Sequence, residues 1–93
     1  MNIGKAIKDI RKAKGITQKE LASLIDRSVN AVCDIEKGKS WPSMETVNRF
    51  AKALGVPQSY ILLFSITEED VPEDKRQIFK VLAEPLKKGL LND

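Results

Sequence analysis

The segment from Thr17 to Lys37 constrains the fold most, because it predicts two short helices with only a few residues between them. Residues 17–20 have the capping-box form Thr-Gln-Lys-Glu, in which the side chains of Thr17 and Glu20 each satisfy a free backbone N–H. The earlier helix of this pair then carries the apolar residues Leu21, Ala22, Leu24 and Ile25. This run ends at Asp26-Arg27, and Ser28 is a good cap for a second helix, with Val32 and Ile35 pointing inward. The segment therefore predicts two helices joined by a tight turn, with the outer face of the second exposed.

Apolar periodicity predicts three more helices around this pair. The helix nearest the N-terminus has Ile3, Ile7 and Ile10 on one face and stops at Gly15, which suits a left-handed C-terminal cap. A fourth helix follows a loop with Trp41, which we expect to cover the junction, and its stripe is Met44, Val47, Phe50, Ala51 and Leu54. A fifth begins at Pro57 and contains the apolar run 60–64. No β alternation is evident, so the predicted fold class is all-α.

The chain divides into a basic body, residues 1–66, and a mildly acidic C-terminal segment, residues 67–93. The body has 11 Lys/Arg against 6 Asp/Glu, whereas the segment has 5 against 7. Residues 67–74 predict an acidic linker, with Pro72 near the start of a last helix whose stripe is Phe79, Leu82, Leu86 and Leu90. Pro85 interrupts this stripe, so that helix should kink or end there. A basic body favours a polyanionic partner, although a plain solvated surface would have the same charge.

Composition argues against several classes of function. A chain of 93 residues is long enough for one domain, and it contains no histidine and one cysteine, Cys33. Zinc sites, disulfides and the commonest general base are therefore not expected, and we predict neither cofactor nor enzymatic activity. Cys33 is more typical of a small half-buried helix residue than of a redox sensor. Neither a membrane span nor a signal peptide is evident, so we expect a cytoplasmic protein without membrane contact.

Residues 3 to about 64 resemble the lambda-repressor-like or Cro-like helix-turn-helix domain, also called the xenobiotic-response-element family. The residues that carry the resemblance are Arg11, Gly15, Thr17-Gln18, Leu21-Ala22, Val32, Ile35-Glu36, Gly38, Pro42-Ser43 and residues 51–56. The resemblance implies a five-helix DNA-binding domain, here with an additional C-terminal helix. It also implies a homodimer on a palindromic operator, and a structural pair between Arg11 and Glu36. Three residues depart from the family pattern. Asp26 stands where the family usually has a turn glycine, Arg27 stands where an apolar residue usually follows that glycine, and Cys33 stands where the family often has serine.

The helix over residues 28–37 is the predicted reading element for the DNA major groove. Asn30 is the first candidate for base contact, because its amide can bond adenine N6 and N7 together. Ser28 and Val29 lie at the end that enters the groove first, where Val29 covers a thymine methyl or packs on the neighbouring helix. The charge of Asp34 weakens binding to DNA phosphates unless its carboxylate accepts a hydrogen bond from a cytosine amino group. The other interpretations of Asp34 are an ion pair with Lys37 and simple exposure to solvent.

Phosphate contacts are predicted around this helix rather than on it. The resemblance favours phosphate contact for Gln18, which otherwise serves as a simple cap. The other candidates are Lys19, Arg27, Lys37, Lys39 and Ser40.

The predicted function is a sequence-specific, double-stranded DNA-binding transcriptional regulator. The alternative is a protein-interaction module, such as an antitoxin, that contacts a partner through residues 60–91. The apolar run 60–64 exceeds what one helix face buries. It therefore predicts either a dimer surface or a C-terminal helix that packs back over it, and both can occur together.

Overall fold

Six α-helices and two short 3-10 turns make up the secondary structure of residues 1–92, which are the residues that this computed structural model describes. The helices are α1 (Ile3–Ala13), α2 (Gln18–Leu24), α3 (Val29–Glu36), α4 (Met44–Leu54), α5 (Gln58–Phe64) and α6 (Arg76–Leu91). The 3-10 turns, Glu68–Asp70 and Glu73–Lys75, lie between α5 and α6. The described residues form no strand, so the all-α class and the additional C-terminal helix are confirmed.

Helices α2, α3 and α4 begin at the caps that the sequence predicts, Thr17, Ser28 and Ser43, whereas Pro57 precedes the first turn of α5 and α6 begins at Arg76, four residues after Pro72. The Thr17 hydroxyl accepts from the Glu20 N–H at 3.0 Å, and the Glu20 carboxylate accepts from the Thr17 N–H at 3.2 Å. The Ser28 hydroxyl accepts from the Ala31 N–H at 3.0 Å, so Ser28 caps α3 as predicted. Lys37 is the cap at the other end, which makes α3 one residue shorter at each end than the predicted 28–37.

The hydrophobic core lies where the first five helices meet. Val32, Phe50 and Ile61 are fully buried, and all three inward residues predicted for α1 are buried as well. The full set is Ile3, Ala6, Ile7, Ile10, Leu21, Ala22, Ile25, Val32, Ile35, Val47, Phe50, Ala51, Leu54, Ile61 and Phe64. Apolar spacing therefore identified most of the core-facing side chains correctly.

Three apolar residues do not lie where the sequence predicts. Leu24 is 61% exposed, because a step of about 100° per residue rotates it away from the side that Leu21, Ala22 and Ile25 share. Met44 is the first residue of α4 and is exposed at the edge of that helix's stripe. Trp41 is also exposed, so it does not cover the junction with α4 as expected.

Pro85 does not end α6, contrary to one of the two outcomes predicted for it. The helix continues through Pro85 to Leu91. Proline has no N–H to donate to the carbonyl of Val81, four residues earlier, so the helix lacks that hydrogen bond on its exposed side. Neither α6 nor any other described helix is long and apolar enough to cross a membrane.

The last turns of α6 return to the core. Leu90 and Leu91 pack against it, and the Lys87 ammonium lies 5.7 Å from the centroid of the Phe64 ring. Leu82 and Leu86, however, remain exposed. The predicted stripe of α6 thus covers the α5 surface only in part.

The connection between α5 and α6 is held by polar contacts near its start. The amino group of Met1 and the backbone N–H of Thr67 both donate to the Asp70 carboxylate, each at 2.8 Å. These two hydrogen bonds hold the pKa of Asp70 below its ordinary value. The hydrogen bond from the Met1 amino group has the larger effect.

Gly4 allows α1 to approach the end of α3 closely. A methyl group on Gly4 would overlap the carbonyl oxygen of Ile35 and would lie 3.0 Å from the carbonyl oxygen of Glu36. Both obstacles are backbone atoms, which cannot rotate away as a flexible side chain can. A glycine is therefore required at this helix crossing, a requirement that apolar spacing and helix caps do not indicate.

We expect Gly4→Ala to lower the free energy of unfolding by about 3 kcal/mol, because α1 and α3 must move apart to accept the methyl group. Gly89→Ala is the matched control, since Gly89 also lies within a helix but a methyl group there would meet no atom within 4 Å. That control should stabilise the protein by about 0.5 to 1 kcal/mol through helix propensity. Urea titration measures both values, and a stabilising effect of Gly4→Ala would contradict the close approach.

Candidate nucleic-acid interface

Helix α3 has a buried face and an exposed face, and the predicted base-contacting residues lie on the exposed one. Val32 and Ile35 are buried in the core, which fixes the rotation of the helix. Val29, Asn30 and Asp34 are exposed. Ser28 is exposed as well, and its hydroxyl proton remains available because its oxygen is the cap acceptor. The structure therefore brings together the four residues Ser28, Val29, Asn30 and Asp34.

The turn between α2 and α3 depends on a left-handed residue. Asp26 has φ +57°, and among the described residues it is the only non-glycine with positive φ. Aspartate tolerates this conformation better than most residues. After it, the Arg27 N–H donates to the Ala22 carbonyl at 3.0 Å, which closes the turn. The fold thus accommodates Asp26 in place of the family's usual glycine.

A buried polar network joins the first three helices. The Arg11 guanidinium on α1 donates to both carboxylate oxygens of Glu36 on α3, at 2.7 and 3.0 Å, and to the Ile16 carbonyl at 2.9 Å. Gln18, the first residue of α2, donates its amide to the same carboxylate at 2.9 Å. Arg11 and Glu36 are each 8% exposed. The implied structural pair is confirmed, and it holds the C-terminal end of α3 against α1 and α2.

The bond from Gln18 to Glu36 was not predicted. The two residues are 18 positions apart, and no local spacing signals their contact. The side chain is half-buried, so it is neither a simple cap nor a free surface group. Its amide has two N–H groups, and one is used on Glu36. The phosphate contact predicted for Gln18 therefore concerns a side chain whose position is already fixed.

The other predicted phosphate contacts are exposed and flank α3. Lys19 lies at the start of α2, and Arg27 lies in the turn before α3. Lys37, Lys39 and Ser40 follow α3, and the backbone N–H groups of Lys39 and Ser40 both donate to the Asp34 carbonyl, at 2.9 and 3.3 Å. The loop after α3 thus folds back over the helix end and keeps its side chains beside α3.

The charge on α3 itself is unfavourable for a polyanion. The helix contains Asp34 and the buried Glu36 but no basic residue. Within residues 1–92, Asp34 forms no ion pair, so the interpretation that it pairs with Lys37 is wrong and its carboxylate faces solvent. Cys33 is half-buried on the same helix, in agreement with the structural interpretation of that residue.

A short helix held across another by a tight turn, with its outer face exposed, defines a helix-turn-helix protein. The chain belongs to the lambda-repressor/Cro-like helix-turn-helix family of DNA-binding transcriptional regulators, because the family model for this domain matches residues 7–61.

Relatives of two kinds share the domain. Multiprotein-bridging factor 1 of Debaryomyces hansenii is 41% identical over 56 residues, which are 60% of this chain and 37% of that protein. Endothelial differentiation-related factor 1 of Homo sapiens is 32% identical over 56 residues, 60% of this chain and 38% of that protein. This chain therefore spans less than half of the length of either protein.

A bacterial relative extends the similarity further. The cryptic phage CTXphi transcriptional repressor RstR of Vibrio cholerae is 34% identical over 85 residues, which are 90% of this chain and 77% of the repressor. A match of that length necessarily includes part of α6.

Removing the carboxylate of Glu36 should destabilise the fold strongly. Glu36→Ala leaves the Arg11 guanidinium buried without its partner, and we expect a loss of about 3 to 5 kcal/mol in the free energy of unfolding. The matched control is Asp9→Ala, which breaks the exposed Lys5–Asp9 pair of 2.9 Å and should cost less than about 1 kcal/mol. Equal losses in the two variants, measured by urea titration, would contradict the special role of the buried pair.

Proposed function

We propose that this chain is a sequence-specific transcriptional regulator that places α3 in the major groove of double-stranded DNA and binds a palindromic operator as a homodimer. The observation that carries the proposal is the orientation of α3, whose Val32 and Ile35 are buried while Asn30 and its neighbours are exposed. The major groove is about 12 Å wide and admits one α-helix. In a dimer the two copies of α3 would enter successive grooves roughly 34 Å apart.

Sequence discrimination is assigned to the first two turns of α3. The Asn30 amide bonds N6 and N7 of one adenine, and Val29 contacts a thymine methyl group. Ser28 can donate its hydroxyl proton while its oxygen continues to cap the helix. Asp34 is one turn further along and accepts from a cytosine amino group, because no cation of the described residues occupies its carboxylate.

Affinity is assigned to groups around α3. Lys37, Lys39 and Ser40 contact the phosphates on one side of the groove, and Arg27 contacts them in the turn before the helix. On the other side, Gln18 offers the N–H that Glu36 does not use, and Lys19 adds a charge beside it. Because α3 contains no basic residue, a single domain binds modestly, and two domains on one operator raise the affinity.

The two parts of the chain have different functions in this proposal. Residues 1–66 hold the DNA-binding domain, and residues 67–93 supply a connection and a helix for contacts between proteins. Selection of bound sites from random duplexes, followed by a salt titration on the selected site, tests the whole proposal. Recovery of one sequence with a two-fold repeat supports it, and failure to enrich any sequence would overturn it.

We expect Asn30→Ala to weaken binding to the selected site by about 1 to 3 kcal/mol and to change binding to random DNA little. The physical reason is that the amide bonds a base edge rather than a phosphate. Asn92→Ala, at the end of α6, is the matched control and should bind both duplexes like the wild type. Equal losses of affinity for the two duplexes would indicate that Asn30 contacts the DNA sugar-phosphate backbone instead of a base.

Lys39→Ala should weaken binding to all sequences alike and reduce the slope of log K against log salt by about one. The reason is that a phosphate contact releases a counterion whatever the base sequence. Lys8→Ala serves as the control, since Lys8 is an exposed lysine on α1 outside the proposed contact set. An unchanged salt slope in Lys39→Ala would remove Lys39 from the phosphate set.

A second candidate function is interaction with a different protein, such as the toxin partner of an antitoxin. It is favoured by one observation, the exposure of large apolar side chains on α6. The name of the relative multiprotein-bridging factor 1 refers to that kind of activity in that protein. A tight complex with one identified protein, together with no salt-sensitive DNA binding, would favour this function over the first.

A further inference from the structure

One face of α6 is apolar and lies open to solvent. Ile78, Val81, Leu82 and Leu86 are 64%, 58%, 59% and 48% exposed, and we refer to these four residues as the α6 face. At about 100° per residue they share one side of the helix, on which Pro85 and Gly89 also lie. A methyl group at Gly89 would meet no atom within 4 Å, so the surface there is open. Contiguous apolar surface of this kind is typical of an interaction site.

The α6 face continues into a groove between α6 and the end of α5. The groove has a volume of about 340 Å³, and its walls are mainly apolar, with Leu63 and Ile66 on the side of the body and Val71 in the connection between α5 and α6. Ile78, Leu82 and Leu86 belong to both the groove and the α6 face. A helix laid along α6 could therefore bury its apolar side chains in the groove.

Charge along the C-terminal segment is divided between its two ends. Residues 67–76 have five acidic and two basic side chains, whereas residues 77–92 have one acidic and three basic ones. Of the two basic residues at the acidic end, Arg76 already donates to the carbonyls of Glu68 and Val71, at 3.0 and 3.1 Å. Glu68 already pairs with Lys80 and Asp70 with the Met1 amino group, whereas Glu73, Asp74 and Lys88 form no ion pair within residues 1–92. A second C-terminal segment brings its Lys88 beside these two acidic side chains only when it runs antiparallel.

We infer that a second copy of this chain occupies the α6 face, with the two α6 helices antiparallel about a two-fold axis near Leu82. This arrangement places Leu82 against the partner's Leu82 and Ile78 against the partner's Leu86. It also places Asp74 beside the partner's Lys88, and the reciprocal pair forms by symmetry. An antiparallel pair brings the start of one α6 beside the end of the other. Asp74 lies in the 3-10 turn that leads into α6, and Lys88 lies in the last turn of α6.

The inference rests on the proposed function for its purpose, since it identifies the homodimer's interface, but its test needs no DNA. Sedimentation of the full chain over roughly a hundredfold range of concentration measures the dissociation constant of the dimer. Leu82→Glu should raise that constant by more than about tenfold, because it places a charge at the centre of the interface. Leu24→Glu is the matched control on α2, with 61% exposure, and should leave the constant unchanged. Circular dichroism confirms that both variants are folded.

Charge reversal tests the antiparallel arrangement itself. Lys88→Glu and Asp74→Lys should each raise the dissociation constant about fivefold, and the double variant should return it to within about twofold of the wild type. A wild-type chain that stays monomeric, or a dimer that Leu82→Glu leaves intact, would overturn the inference while the DNA selection could still succeed. Additive losses in the double variant would overturn the antiparallel arrangement. A dimer that responds as expected but binds no DNA would instead refute the proposed function and leave this interface in place.

Discussion

The position of α3 depends on the buried contact between Arg11 and Glu36. Val32 and Ile35 fix which side of the helix is inward, but apolar contacts alone tolerate small shifts along the helix axis. The two hydrogen bonds between guanidinium and carboxylate, at 2.7 and 3.0 Å, are directional and tie the end of α3 to α1. Gln18 adds α2 to the same carboxylate. A single buried acidic group therefore orients the three helices on which the proposed reading of DNA depends.

The network also explains how a short helix can present a defined outer face. α3 has eight residues, too few to be stable alone, and it begins at a serine cap and ends in a loop that bonds back to Asp34. Its outward residues are held by contacts on the opposite side rather than by neighbours of their own. The positive charge lies in the turn before α3 and the loop after it. In the proposed complex, this separates affinity, around the helix, from sequence discrimination, on it.

The C-terminal segment follows a different physical rule from the body. The first five helices surround one core, whereas α6 reaches that core mainly through Leu90 and Leu91. Most of its large apolar side chains stay exposed although they follow helical periodicity. A helix with an apolar stripe and no core to cover it is stabilised by association, and this is why the segment carries the proposed contacts between copies of the chain.

The sequence alone was sufficient for the existence of the helices, the caps of α2, α3 and α4, and most of the core, because capping and periodicity are local properties of neighbouring residues. Thr17 and Ser28 each signal a helix start, and the outward positions of Asn30 and Asp34 follow from Val32 and Ile35. Only the tertiary structure decided how much of the α6 stripe is covered: Leu82 and Leu86 are exposed, whereas Leu90 packs against the core. It also showed that Gly4 lies against the end of α3 and that Gln18 shares Glu36 with Arg11. These facts depend on contacts between residues distant in the chain, and no local pattern encodes such distances.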